Sequence, residues 1–109
     1  MKIIYNRLLP IGKNFLAINL FGVLFAKGPC SPTVINHEKI HTAQMRELWF
    51  IFFYLWYILE WIFRSISRLN FMEGYSNISF EREAYANASD LQYLKTRKRF
   101  SFLKYLKGK

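Results

Sequence analysis

The chain has 109 residues, enough for one small domain and too few to wrap a long helix on every side. It is 52% hydrophobic and 19% aromatic, and its single cysteine, Cys30, excludes an internal disulfide and gives no argument for an oxidising compartment. Of the +9 net charge, +7 lies on Lys95, Arg97, Lys98, Arg99, Lys104, Lys107 and Lys109, a basic tail that suits an anionic surface better than it suits a basic active site.

At the N-terminus, Lys2, Arg7 and Lys13 precede the apolar run FLAINLFGVLFA, which has about the length of a signal-peptide core. Pro10 and Gly12 interrupt the approach, Asn19 sits inside the run, and AKGPC puts a proline before the cysteine. These features argue against a cleaved leader. Residues 15–27 are expected instead as a strand or strand pair, with Phe15, Ala17, Asn19, Phe21, Val23 and Phe25 on one face by alternation. KGPCSP then breaks the chain. Ser31 suits a helix N-cap and Pro32 the first helical position, so a helix should start at about residue 32.

That helix meets no Gly or Pro before Gly74 and is expected to continue into the apolar segment 48–63. LWFIFFYLWYIL is apolar on every side, as a helix is when deeply buried or in lipid. So small a chain can bury it only by oligomerising, which favours lipid. The segment is about 24 Å long, short of the roughly 30 Å hydrocarbon core. Trp49, Tyr54, Trp56, Tyr57 and Trp61 are residue types of the lipid–water boundary, consistent with a tilted span or partial insertion. Glu60 and Arg64 are spaced for an (i, i+4) ion pair.

SISRLNFMEGYSN (65–77) reads as a helix end and turn. A second helix follows at about 79–97, capped by Ser79, with acids early and bases late as the helix dipole favours. The tail, 95–109, mixes aromatics with lysines as peripheral membrane segments do. Phe100, Phe102 and Tyr105 could stack on bases, but no nucleic-acid-binding motif accompanies them, which argues against a nucleic-acid partner.

Both histidines of the chain lie in VINHEKIHTAQ (34–44). On a helix, positions four apart differ by about 40° in direction and 6 Å in height, so His37 and His41 can bind one metal ion, with Glu38 about 100° to the side. This is the His-Glu-x-x-His arrangement of zinc hydrolases. Zinc lowers the pKa of water toward about 7, and the carboxylate moves the proton to the leaving amine. Such a site needs a third protein ligand. No histidine remains. Glu47 and Glu60 share the first helix and cannot reach back, and Glu73 sits beside the turn, leaving Glu81, Glu83 and Asp90.

FEREAYA (80–86) resembles the Glu-x-x-Ala segment of gluzincin-type metallopeptidases, including the HtpX and CaaX-prenyl-protease group of membrane enzymes. The resemblance covers about 17 positions, in 36–44 and 79–86. It implies Glu81 as third zinc ligand, with Glu83 as fallback, and Ala84 as the small residue packed a turn later. Those families usually place an aspartate next, to orient a ligand histidine. Tyr85 stands there in this chain, which leaves the residues behind the ligands unassigned. The pattern is also similar to short bacterial zincin-like membrane proteins. The family's strand before the active helix holds an extended peptide by edge pairing, and FLAINLFGVLFA occupies that place. Gln44 shares the histidine face and could contact a ligand or an oxyanion, although polar surface is its plainer role. Tyr75 and Tyr85 are further candidates to stabilise an oxyanion.

A straight helix from His41 to Arg68 would end about 40 Å from the histidines. The residues from 68 to 81, fully extended, cover roughly 43–47 Å, so the return barely closes. A site that includes Glu81 therefore predicts a helix that ends or bends earlier, with 62–80 folding back. The expectation is a single α+β, mostly helical domain (1–109), a minimal zincin-like core associated with the cytoplasmic membrane. It would act as a Zn²⁺ peptidase on peptide or protein substrates, with lipid contacted by 48–63 and by the tail 95–109. The alternatives are a non-catalytic zinc-binding membrane protein of the same fold, and a metal-free oligomeric module that binds anionic surfaces.

Overall fold

The computed structural model describes residues 1–9 and 16–106. Phe15 in the expected strand, Pro10, Gly12 and Lys13 before it, and Lys107 and Lys109 in the tail lie outside the described residues. The apolar run forms a pair of strands, β2 (Ala17–Leu20) and β3 (Val23–Ala26), joined at Phe21 and Gly22. Both joining residues have positive φ, 54° and 89°, the backbone of the two-residue hairpin turn whose twist matches its strands. The hairpin reverses the phase of alternation. Ala17 and Asn19 pair with Ala26 and Leu24 and share the inner face. Val23 and Phe25 therefore lie on the opposite face, not with Asn19 as a single extended strand would have them.

A third strand, β1 (Ile3–Tyr5), pairs parallel to β3, giving the order β1-β3-β2 and leaving β2 at an edge. Three residues are too few for a sequence period to declare themselves. The inner face rests on helix α1 (Pro32–Glu47), where Asn19 makes the main tie. Its Nδ2 donates to the Glu38 carbonyl at 2.9 Å and to Thr42 Oγ1 at 2.8 Å, while its Oδ1 accepts the Gly22 amide. At the start of α1, Ser31 Oγ accepts the Val34 amide and Pro32 occupies the first turn, as residue types there dictate.

The expected long helix is broken. α1 ends at Glu47 and α2 (Ile51–Arg68) leaves at 112° to it. No Gly or Pro marks the break. Trp49 and Phe50 take positive φ, and the Ile51 amide bonds to the Trp49 carbonyl at 2.6 Å, closing a strained γ-turn. Such strain costs about 1–3 kcal/mol per residue. It is offset by what the bend permits: Phe53 packs with Met45, Ile78, Phe80 and Phe102 in one core. The outer side of α2, including Phe52, Leu55, Leu59, Ile62, Phe63 and Ile66, stays exposed. Among the described residues no single helix is long and apolar enough to cross a membrane, while α1 and α2 taken as a bent pair meet that length and composition.

The chain then folds back. Leu69 takes a left-handed conformation at the end of α2, and Asn70 caps α3 (Phe71–Ser76) by accepting the Met72 and Glu73 amides. Residues 65–77 thus form a helix end and a short helix, not a turn alone. Gly74 lies against α2 so closely that a Cβ there would sit 2.6 Å from Ser65 Cα and N. α4 (Ser79–Asn87) is capped differently from expectation. Ile78 is the N-cap, and the Ser79 amide and hydroxyl both donate at 2.7 Å to the Glu60 carboxylate of α2. Glu60 also accepts from Arg64 at 2.8 Å, the expected pair.

The second helix stops at Asn87, ten residues short of its expected end. Asn36 Nδ2 reaches from α1 to the carbonyls of Asn87, Ala88 and Asp90, taking the bonds that a continuing helix would need. A short helix, α5 (Tyr93–Thr96), and a 3₁₀ turn (Ser101–Tyr105) finish the described chain. The tail is not a free aromatic arm. Phe102 is 1% exposed in the core, so it is not available for stacking on bases or entering lipid.

Candidate metal centre

The helical period puts His37 and His41 on one face of α1, and the α2–α3 return brings α4 over that face. The two Nε2 atoms lie 3.1 Å apart. Glu81 Oε1 lies 3.2 Å from His37 Nε2 and 3.1 Å from His41 Nε2. All three residues are buried, and the group could hold a metal ion. Its dimensions fit one. A tetrahedral ion bound at about 2.1 Å needs ligand atoms about 3.4 Å apart, and a contraction of a few tenths of an ångström separates that from the metal-free triangle.

Electrostatics tell the same story. Burial works against a charged His41, but the adjacent Glu81 carboxylate outweighs it and raises the imidazole to about 9. Burial likewise opposes a charged Glu81, yet the two histidines hold its carboxyl far below the usual range. The carboxylate that favours a proton on His41 would equally favour a cation's charge there. Proton and metal compete for the same atoms.

The surroundings orient members of this group. Tyr57 donates to Glu81 Oε2 at 2.5 Å, leaving Oε1 to the histidines. Burial, with Glu81 alongside, pushes the Tyr57 phenol well up, so it remains a donor. Gln44 is fully buried, not polar surface: its Oε1 lies 2.8 Å from His41 Nδ1 and its Nε2 donates to Phe80 O and Glu83 Oε1. Glu83, the fallback ligand, lies outside the His37, His41 and Glu81 group. Its carboxylate is taken up by Arg97, Tyr93 and Gln44, which hold it below the usual range despite burial. The Tyr85 ring stands edge-on to His37 at 4.5 Å, though the residue is 58% exposed.

Glu38 faces the open side. Its Oε2 is 4.0 Å from His37 Nε2, and burial pushes its carboxyl up against the lowering effect of the histidines, as suits a base. Glu38, His41 and Glu81 line one cleft of about 500 Å³, with Tyr75 also in its wall. The edge strand β2 forms another side, and Met45, Phe53 and Trp61 much of the rest. Asp90, the remaining acid considered as a ligand, lies elsewhere, its backbone bound to Asn36. Tyr57 and Asn19 were not singled out from sequence, where a tyrosine in a greasy helix looks like a boundary residue and an asparagine in a strand like an interruption. No protein-family model matches the chain, and no match is found among curated proteins or solved structures.

Proposed function

We propose that this chain is a membrane-associated, zinc-dependent peptidase of zincin type that acts on uncharged, apolar stretches of peptide. The observation that carries this reading is convergence: a buried His-His-Glu group and a carboxyl raised by burial meet at the same cleft, beside a strand that has a strand partner on one side only among the described residues. Two imidazoles and one carboxylate with a fourth position left open are the ligand set of catalytic zinc. Bound there, zinc would supply Lewis acidity, polarising the scissile carbonyl and making water acidic enough to ionise near neutral pH.

The chain's own groups do the remainder. His37, His41 and Glu81 would hold the ion, and Tyr57 keeps Glu81 Oε1 turned toward the two histidines. Glu38 takes the proton from water and returns it to the leaving amine. On the outer edge of β2, where no strand pairs among the described residues, backbone groups other than the Asn19 carbonyl, which accepts from the Tyr54 hydroxyl, offer an extended peptide main-chain hydrogen bonds. The cleft is lined mainly by apolar and aromatic side chains, Leu20, Met45, Phe53 and Trp61 among them, which suits an apolar stretch of peptide. The exposed apolar side of α2 supports the membrane part of the reading.

Purified wild-type protein should carry one zinc, lost in His37→Ala. Glu38→Gln should keep the zinc while cleavage of a peptide library falls by about 10²–10⁴. Zinc absent, or unaffected by His37→Ala, removes the metal site. Zinc present with no cleavage by wild type, or with equal cleavage by Glu38→Gln, removes the enzyme and leaves a metal-binding protein.

A further inference from the structure

The back of the metal group, away from the cleft, is held by a chain of buried polar side chains that ends in the C-terminal segment. Gln44 Nε2 meets two acceptors, Phe80 O at 3.1 Å and Glu83 Oε1 at 2.9 Å. That fixes the amide the right way round, so its oxygen faces His41 Nδ1 at 2.8 Å, and a carbonyl oxygen can only accept. His41 must then carry hydrogen on Nδ1. Its Nε2 is the nitrogen presented to Glu81 and His37.

Glu83 is fixed in turn by Arg97, whose Nε and Nη2 lie 2.5 and 3.1 Å from its two oxygens, and by the Tyr93 hydroxyl at 2.6 Å. The other side of the same guanidinium makes two 3.0 Å bonds to Glu47, in the last turn of α1. Arg97 therefore sits between a carboxylate of α1 and one of α4, the two helices that bring the metal ligands together. With the guanidinium gone, two nearly dehydrated carboxylates would face each other across the seam. The Phe100 amide also bonds to Glu47 at 2.7 Å, and Phe102 anchors the segment in the core.

We propose that Arg97, Glu83 and Gln44 are positioning residues for the metal site, through which docking of the C-terminal segment selects the His41 tautomer and closes α1 on α4 around the ion. This rests on the metal-site reading above and adds to it a part of the chain that touches neither metal nor substrate. A positioning role differs from a merely structural one in what it controls: metal affinity and the identity of the bound nitrogen, not thermal stability alone.

The test uses the full chain, labelled with ¹⁵N-histidine and titrated with zinc against a competing chelator. In wild type, His41 should be bound through Nε2 and protonated at Nδ1. Gln44→Leu should weaken zinc about 10–100-fold with the helical circular dichroism unchanged. Arg97→Met should weaken it about tenfold or more, with partial recovery in Arg97→Lys, which keeps the charge but not the fork. Wild-type His41 bound through Nδ1, or folded Gln44→Leu and Arg97→Met binding within about twofold of wild type, overturns the proposal. Should Arg97→Met not fold, the wild-type tautomer and Gln44→Leu decide. A wild type that takes up no zinc overturns the metal reading and this inference together, whereas a zinc-binding wild type matched by its variants overturns this inference alone.

Discussion

Burial works against a charged His41, yet Glu81 lies against it and raises the imidazole to about 9. An unfolded imidazole titrates near 6.5, so the raised His41 makes its full contribution to the fold's stability below about pH 6.5, lost as pH rises through about 9. The lowered Glu81 makes its own above the ordinary carboxylate range, lost in strong acid. Metal needs the lone pair that the His41 proton occupies. Apparent zinc affinity should therefore rise about tenfold per pH unit up to about 9 and then level off, as chelator competition at several pH values would record. A flat profile across that range contradicts the assignment. The meeting of His37 with His41 is legible in sequence because the helical period alone decides it. Gln44 and Tyr57 are not legible, since their roles depend on Glu83 and Glu81, brought over from α4 by long-range packing.

The decisive element is the return from α1 to α4. A metal site including Glu81 demands some bend on chain-length grounds, and sequence can say that much. It cannot say where: Trp49 and Phe50 take positive φ without the glycine that usually signals it, and only the aromatic packing they permit accounts for the choice. The end of α4 is hidden for a similar reason, since Asn36 closes it from another helix. Gly74 is the visible mark of the return, where α3 touches α2 at the Ser65 backbone. Gly74→Ala should therefore lower stability by about 1–3 kcal/mol in denaturant titrations. It should also weaken zinc binding by displacing α4 and its Glu81. An alanine variant with wild-type stability would show that α3 moves aside without consequence.

For the molecule as a whole, the bend gives α2 two unlike sides. One carries Phe53, Tyr57 and Glu60 toward the core and the metal group; the other presents Phe52, Leu59 and Phe63 to the surroundings. The all-round apolar character read from sequence is thus partitioned, with one apolar side of α2 facing outward and no single described helix long and apolar enough to cross a membrane. The tail contributes less charge to that surface than its composition suggests, since Arg97 is spent internally on Glu47 and Glu83. Wild type should float with anionic phospholipid vesicles, and Phe52→Asp with Phe63→Asp should release it without loss of zinc. Wild type that stays behind in the gradient overturns the lipid partner.

The asparagine that joins hairpin to helix carries a consequence of its own. Asn19 spends its amide on the carbonyl of Glu38 and on Thr42, so the strand edge and the residue proposed as base are indexed to each other by one side chain. A peptide lying along β2 would be measured off from that pin. Cutting it with Asn19→Ala would blur where the products end before it slowed their appearance, and a smear of fragment lengths would be its signature.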